Sequence, residues 1–600
     1  MHGRLGLSYK KLALTRVLRQ GRFAPRYPQG LAITLGDFKM ETRAFDFIIV
    51  GAGVAGCVLA SRISQSRPEL RILLVEAGVE KDDRTIGGMA FTGGFDSDIE
   101  WNYRSVPQER GFGGDTVCLT SGKIVGGGSA VNYQVFTRGP AIDYNQWADI
   151  VQDRRWSWDH LLPYFRKVET WYPSAEMTAR GVVPSESHGD SGPIKVSHAT
   201  NSGKPRNYPL REKTRKFLEL LGHKQANDMN DGQPLGYSEA FNSTYEGLRS
   251  FANSYPLGNN VSLWTKSIVE SVVMNGKTAD GVIISRSTGV GLERVRVRAN
   301  KEVILAGGAH GSAKILLLSG IGPVAELNRH GINPVVDLPV GRNYVDHPHI
   351  FTYWSVDDHN ATVGDGPMQT SEVDWLAGLP CDWISFAPAD RGTREIAKQL
   401  LDPTAFSRYS ATGKMQIENF IVYGTVDTST RKQLPQGWPG RRVISLMHIV
   451  TDPVSRGTLT LRSTDPNDPP VLDPKILSSP VDRSALFECV RSAAHAIQAV
   501  DRLNAVEFGV DDSIRDDWSN EDIDVRASRS GGTVFHTSGT CTMGEVVDTE
   551  CRVLGTNALR VVDSSIIPIP LAAHYQAPTY AIAEQAADMI LASLTSEMLF

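Results

Sequence analysis

Cysteine is sparse. The six in this 600-residue chain, Cys57, Cys118, Cys381, Cys489, Cys541 and Cys551, nowhere stand at CxxC spacing. That excludes the common zinc and redox motifs and a dense disulfide framework; a single Cys541–Cys551 bridge stays open. No apolar run approaches the roughly 20 residues that cross a bilayer as a helix. Charge of one sign does not accumulate either: the formal net charge is −5 with no basic stripe, which argues against nucleic acid as a partner. Residues 1 to 36 lack Asp and Glu while carrying Arg4, Lys10, Lys11, Arg16, Arg19, Arg22 and Arg26. They contain no continuous apolar stretch of the kind a secretory signal needs, and little serine. Two readings remain for this segment, a mitochondrial presequence or a disordered extension without an address. The second is preferred, and the expectation is an intracellular, cytoplasmic protein.

What the chain does contain begins at Phe45-Asp-Phe-Ile-Ile-Val50, an apolar run that reads as a strand buried on both faces, followed at once by Gly51-x-Gly53-x-x-Gly56. Gly51 permits a tight turn, Gly53 lets backbone approach a pyrophosphate, and Gly56 lets the next helix lie close to the strand. Ala55, Val58, Leu59 and Ile63 give that helix an apolar face, and Pro68 stops it. A second strand, Arg71 to Glu76, ends on a carboxylate placed to accept hydrogen bonds from adenosine ribose hydroxyls. This stretch predicts a bound dinucleotide, with NAD as compatible as FAD.

Gly122-Lys-Ile-Val-Gly-Gly-Gly-Ser-Ala-Val-Asn132 sets three consecutive glycines between apolar flanks, where bare backbone can pass close to a flat or charged ligand. Val295 to His310 reads as a hairpin ending in a buried strand, and Gly311 to Pro323 as a short helix stopped by Gly320, Gly322 and Pro323. Val443 to Ile449, Thr458 to Leu461 and Leu559 to Asp563 read as strands, and a last helix begins near Pro578. A single histidine among fourteen is ordinarily structural. His536 is different, because Val534-Phe-His-Thr-Ser-Gly-Thr-Cys-Thr-Met-Gly544 surrounds it with small and apolar neighbours. Desolvation there keeps a neutral base available near pH 7. Asp346-His-Pro-His349 gathers ligand-type side chains, but nothing supplies an obvious fourth ligand and no metal is expected.

In order along the chain, these segments resemble the glucose-methanol-choline (GMC) family of flavoprotein oxidoreductases, from Phe45 to Leu594. The glycine turn with Glu76, Trp101 to Gln108, Gly122 to Asn132, Gly308 to Gly322 and the His536 and His574 blocks carry the likeness; Val340 to Pro348 and Ser455 to Leu461 add looser matches. The resemblance implies an α/β fold, α+β overall. A Rossmann-like FAD domain is assembled from 41–145, 240–325 and 531–600. A substrate domain, 146–239 and 326–530, carries an antiparallel sheet flanked by helices, with 1–40 as the basic extension. It implies FAD held by Gly51, Gly53, Val54, Ala55, Gly56, Glu76, Ala77, Lys123, Gly127, Gly128, Asn132, Val269, Asp563, Ala577 and Pro578. Ala313 departs from the Pro or Ser usual after Ser312. Val131 stands where some relatives carry a histidine bonded to the flavin, so FAD is expected to be non-covalent. His574, where many relatives have Asn, places the chain in the His-His subset.

The implied activity is oxidation of an alcohol to an aldehyde or ketone. A hydride passes to flavin N5, His536 takes the hydroxyl proton, and His574 holds the same oxygen. Trp156, Trp158, Trp171, Tyr172, Trp354, Trp375, Trp383, Phe386, Phe420 and Tyr423 are expected mostly to fill the core, with some left to line a pocket. An aromatic or apolar alcohol is therefore favoured over a sugar. Oxygen or a quinone is the expected electron acceptor, and the enzyme a monomer or homodimer. A lyase or cyclase of the same fold, using histidine acid-base chemistry without net redox change, is the alternative.

Overall fold

The Phe45–Val50 strand forms as its composition predicts, with every residue but Asp46 buried. The computed structural model describes residues 39–40, 44–81, 98–109, 113–181, 187–204, 206–288, 291–356, 378–424, 443–507 and 518–597. The basic segment before residue 39, and Trp375, lie outside these. Phe45–Val50 is central in a sheet ordered Ser267–Asn275, Thr278–Thr288, Gly291–Leu305, Phe45–Val50, Ile72–Val75, Val261–Trp264. The first three strands pair antiparallel and the rest parallel. Leu559–Val561 adds a further parallel partner to Gly291–Leu305.

The hairpin expected over Val295 to His310 is absent. Gly291–Leu305 is one strand, antiparallel to Thr278–Thr288 in its first part and parallel to Phe45–Val50 in its last. The Asn300–Lys301 pair, which reads as a turn, is taken up as an irregularity between Ala299 and Glu302 where the strand exchanges neighbours. Val54–Ser66 starts directly after Gly53 and stops at Arg67, ahead of Pro68. The last helix, Gln576–Glu597, starts two residues before Pro578 and is tied to Val54–Ser66 by the bidentate Arg62–Glu584 pair. Gly308–Leu318 likewise starts before Gly311, and Gly320 at φ +80° ends it.

The second large sheet is antiparallel throughout, ordered Val506–Glu507, Pro348–Ser355, Val443–Val450, Ile417–Tyr423, Trp383–Ala387, Gly236–Glu239. Gly531–Thr533 joins Pro348–Ser355. Helices Pro480–Gln498 and Asn520–Ser530 pack against it. All seven residues of Ile417–Tyr423 are buried, so both faces of that strand are covered. Thr458–Thr460 does not join this sheet. The Asp465-Pro-Asn-Asp-Pro-Pro470 run turns the chain back so that it pairs with Val471–Asp473 as a separate ribbon. All six cysteines are buried and none is in a disulfide, so Cys541 and Cys551 are unbridged. No helix among the described residues is long and apolar enough to cross a membrane.

Candidate active site

A cavity of about 340 Å³ is walled by both sheets. Backbone crowding shapes its glycine-rich end. A Cβ on Gly51 (φ +101°) would stand 2.5 Å from Ala306 O, one on Gly56 1.8 Å from Gly51 O, and one on Gly127 (φ +54°) 2.7 Å from Gly53 Cα. The two glycine segments thus pass each other at a distance that side chains would forbid. Glu76 accepts from Ala52 N at 3.0 Å and Gly78 N at 2.8 Å, and burial pushes its carboxyl up to about 7. It pins the turn while retaining lone pairs for a ligand. Asp563 does the same for the helix at Gly308, accepting from Gly308 N at 2.9 Å and Ser312 Oγ at 2.6 Å. Thr120 Oγ1, on the same wall, is buried without a partner. Glycine turns packed too closely to admit a Cβ at Gly51 or Gly127, two acids beside them and an unanswered hydroxyl fit an extended dinucleotide.

Of the residues expected to hold the cofactor, Gly51, Gly53, Val54, Ala55, Glu76, Ala77, Gly127, Gly128, Asn132, Val269 and Asp563 line this cavity. Gly56, Lys123, Ala577 and Pro578 are not on its wall. Gly56 serves strand–helix contact, and Lys123 Nζ lies 4.9 Å from the Trp101 ring centroid. In the first turn of the last helix it is Gln576 and Thr579 that face the cavity. Gln576 accepts a hydrogen bond from Asn132 Nδ2.

His536 and His574 meet at the other end, ring centroids 4.6 Å apart and nearly perpendicular. Phe535 sits at φ +61°, a costly conformation for a bulky residue, and turns the chain so that His536 N donates to Asp346 Oδ1 at 2.8 Å. The His536 ring stacks on Tyr575 at 5.3 Å. Its Nδ1 lies 3.1 Å from Nδ1 of His347. Burial, then the neighbouring His574 and His347, hold His536 well below the ordinary imidazole range; burial takes His347 down to about 3. His574 is anchored differently. Its Nε2 lies 2.8 Å from Glu418 Oε1, its backbone N donates to Thr137 Oγ1 at 2.8 Å, and two residues earlier Ala572 N donates to Asp143 Oδ2. Asp143 is in turn paired with buried Lys414 at 2.8 Å.

Residues 45–349 and 453–583 match the N-terminal and C-terminal parts of the GMC oxidoreductase family. The chain belongs to the GMC oxidoreductase family. It is 31% identical over 560 residues to the GMC-type oxidoreductase acuG of Aspergillus aculeatus, covering 92% of this chain and 100% of that protein. It is 30% identical to a pyranose dehydrogenase of Agaricus campestris, at 92% and 94% coverage. Among solved structures, an Aspergillus oryzae formate oxidase superposes with a TM-score of 0.81 at 26% identity, covering 92% of this chain and 99% of that one. A fungal aryl-alcohol oxidase superposes at 0.75 with 24% identity, a likeness of fold alone. GMC oxidoreductases bind FAD and act on CH–OH donors, and this one is an α/β FAD enzyme of that kind. The lyase or cyclase alternative gains nothing from these relatives.

Several residues of this GMC oxidoreductase's site escaped the sequence reading. His347 was weighed there only as a metal ligand. Among the described residues no cluster is arranged to hold a metal, and His347 is instead the partner of His536. Glu418 had a legible signal, a carboxylate at a strand position alternating with Phe420 and Val422. Alternate strand residues share a face, and Phe420 and Val422 line the cavity with Phe351, Leu379, Met447 and Phe535. Of the described aromatics among those named above, only Phe420 reaches this wall; Trp156, Trp354 and Trp383 are fully buried in the core.

Proposed function

We propose that this GMC oxidoreductase oxidises an alcohol with a largely apolar body, with His536 taking the hydroxyl proton and His574 holding the same oxygen. The observation that carries the proposal is the pair of rings 4.6 Å apart on the cavity wall, each oriented by its own buried partner. When bound, FAD supplies the acceptor for the hydride that leaves the carbinol carbon.

The tautomer follows from the contacts. For His536 to act as a base through Nε2, its Nδ1 must carry the proton and donate to His347 Nδ1, 3.1 Å away. His347 is then protonated on Nε2, which faces the Tyr575 hydroxyl at 3.5 Å. Burial keeps the His536 ring neutral and proton-accepting near pH 7. On the other ring, Nε2–H donates to the Glu418 carboxylate at 2.8 Å, which fixes the plane of His574 and turns its Nδ1 edge to the substrate oxygen; to stabilise an oxygen that gains negative charge that edge must carry a proton too, so His574 acts there as an imidazolium whose charge Glu418 balances. The N-terminus of Gln576–Glu597 reaches the cavity through Gln576 and Thr579 and places the positive end of a helix dipole there, favouring negative charge nearby.

Val131 lines the cavity with methyl groups alone and offers no atom for a covalent bond, which supports dissociable FAD. Segments 41–145, 240–325 and 531–600 form the cofactor domain in this reading, and 146–239 with 326–530 the substrate domain, although Gly531–Thr533 pairs into the antiparallel sheet. The apolar wall of Phe351, Phe420, Val422 and Met447 supports an aromatic or aliphatic alcohol over a sugar. Anaerobic mixing of the FAD-loaded enzyme with a panel of aryl and alkyl alcohols tests this directly. Bleaching of the oxidised-flavin absorbance is expected, and an unbleached flavin with every alcohol overturns the proposal.

A further inference from the structure

Gln134 is a polar residue on the cavity wall that the chain itself leaves unanswered. Its side chain is fully buried, and neither Oε1 nor Nε2 has a hydrogen-bond partner within the protein. Buried amides in native structures are almost always paired. The two amides beside it illustrate this. Asn132 Oδ1 accepts from the Arg249 guanidinium at 2.7 Å and from Gln134 N at 3.1 Å, while Gln576 Nε2 donates to Ser243 Oγ at 3.1 Å.

The backbone is built to hold this side chain in place. Gln134 adopts φ +68°, a left-handed conformation that costs free energy for any residue but glycine. Its carbonyl is fixed by Ser243 N at 2.7 Å. Two residues before it, Asn132 is bonded to Gln576; three residues after it, Thr137 Oγ1 accepts from His574 N at 2.8 Å. Gln134 therefore lies on the stretch between one point fixed to the loop that carries His574 and another fixed to the first residue of the last helix. The wall formed by Phe351, Phe420 and Met447 is apolar and provides it no partner.

We infer that Gln134 is a specificity-determining residue whose carboxamide pairs with a second hydroxyl of the substrate, close to the reacting carbinol. This rests on the alcohol-oxidising reading given above. A carboxamide both donates and accepts, and a hydroxyl is the neutral group that uses both edges. The preferred substrate is then an alcohol with an apolar body and a neighbouring hydroxyl, a vicinal diol in its simplest form.

The test compares the ratio of the limiting rate constant to the apparent Kd for anaerobic flavin reduction by phenethyl alcohol and its vicinal diol, styrene glycol, and by hexanol and its vicinal diol. FAD-loaded wild-type enzyme is set against Gln134→Met, which keeps length and removes both hydrogen-bonding atoms. The wild type is expected to prefer the diols, and the diol-to-monoalcohol ratio should fall roughly 10- to 100-fold in Gln134→Met. An unchanged ratio with a shifted flavin potential or FAD dissociation constant would assign the amide to the cofactor and overturn the inference. An unchanged ratio with only a lowered Tm would make it structural and overturn it equally. Failure of all four alcohols to reduce the wild-type flavin would overturn the alcohol-oxidising reading together with the inference, whereas an active enzyme with an unchanged ratio overturns the Gln134 assignment alone.

Discussion

Replacing Glu418 by Gln separates charge from shape at the partner of the second histidine. Glu418 is buried and its Oε1 lies 2.8 Å from His574 Nε2, with side-chain exposures of 1% and 15%, so solvent screens the contact little. The amide oxygen of Gln can occupy the same place and accept the same proton, leaving the fold and the plane of the ring intact. What disappears is the charge assistance, which makes such a bond worth about 1.5–3 kcal/mol in place of a neutral bond's ~1 kcal/mol. If His574 must hold an oxygen that gains negative charge as its proton leaves, the lost support falls mainly on the transition state. The rate constant for flavin reduction should then drop by roughly 3- to 30-fold, at about 1.4 kcal/mol per factor of ten. KM should change less. Stopped-flow reduction under nitrogen measures this, with a melting curve confirming the fold. A variant that reduces its flavin at the unaltered rate would refute the idea that Glu418 sets the charge and tautomer of His574.

His536→Ala should retain FAD and lose about 10²–10⁴-fold in the rate of flavin reduction; a rate within tenfold of the original removes His536 as the base. Acid precipitation should release the flavin into the supernatant, and a flavin that stays with the precipitated polypeptide would show a covalent bond in spite of Val131. Stability should respond to pH from about 6.5 downward and fall most clearly below about 4. His347, His349 and His448 are held at about 3, and His198 and His310 at about 4, chiefly by burial. The unfolded chain therefore binds protons in that window that the folded chain does not, at up to ~1.4 kcal/mol per pH unit for each histidine. Glu76 and Asp346, raised to about 7 by burial, work in the opposite direction between about 4 and 7, since they hold protons that the unfolded chain has released. Asp231 and Asp382, raised to about 6 by burial, act with them, so the two sets oppose each other above about 4; below that the carboxyls are protonated in both states, the histidines held at about 3 act unopposed, and a Tm that does not fall between pH 4 and 3 would contradict this balance.

The readable parts of this protein are those whose causes are local. Phe45–Val50 and Val54–Ser66 follow from an unbroken apolar run, three glycines and a proline. The single strand Gly291–Leu305 was not readable, because Asn300 and Lys301 look like a turn unless one knows that two different strands flank its halves. Thr458–Thr460 has strand composition, but only the folded chain shows which sheet it leaves alone. His536 stood out by its small and apolar neighbours, whereas His574 entered only through the family resemblance; the fold brings the two rings together. His347 was visible as a histidine but not as a partner, since 189 residues separate it from His536. Nothing in the sequence around Gln134 announces its left-handed backbone or its unanswered amide, as both arise from contacts made across the fold.

The parallel part of the first sheet also sets an order of events during synthesis. Phe45–Val50 needs Val303–Leu305 beside it, and those three residues need Leu559–Val561 on their far side. Almost the whole polypeptide must therefore leave the ribosome before the nucleotide-binding turn has its complete neighbourhood. Pairings this distant close late and slowly. A chain cut short before residue 559 lacks the strand on the far side of Val303–Leu305 as well as His574, so truncated copies should fail to take up FAD, and flavin content becomes a direct readout of full-length folding.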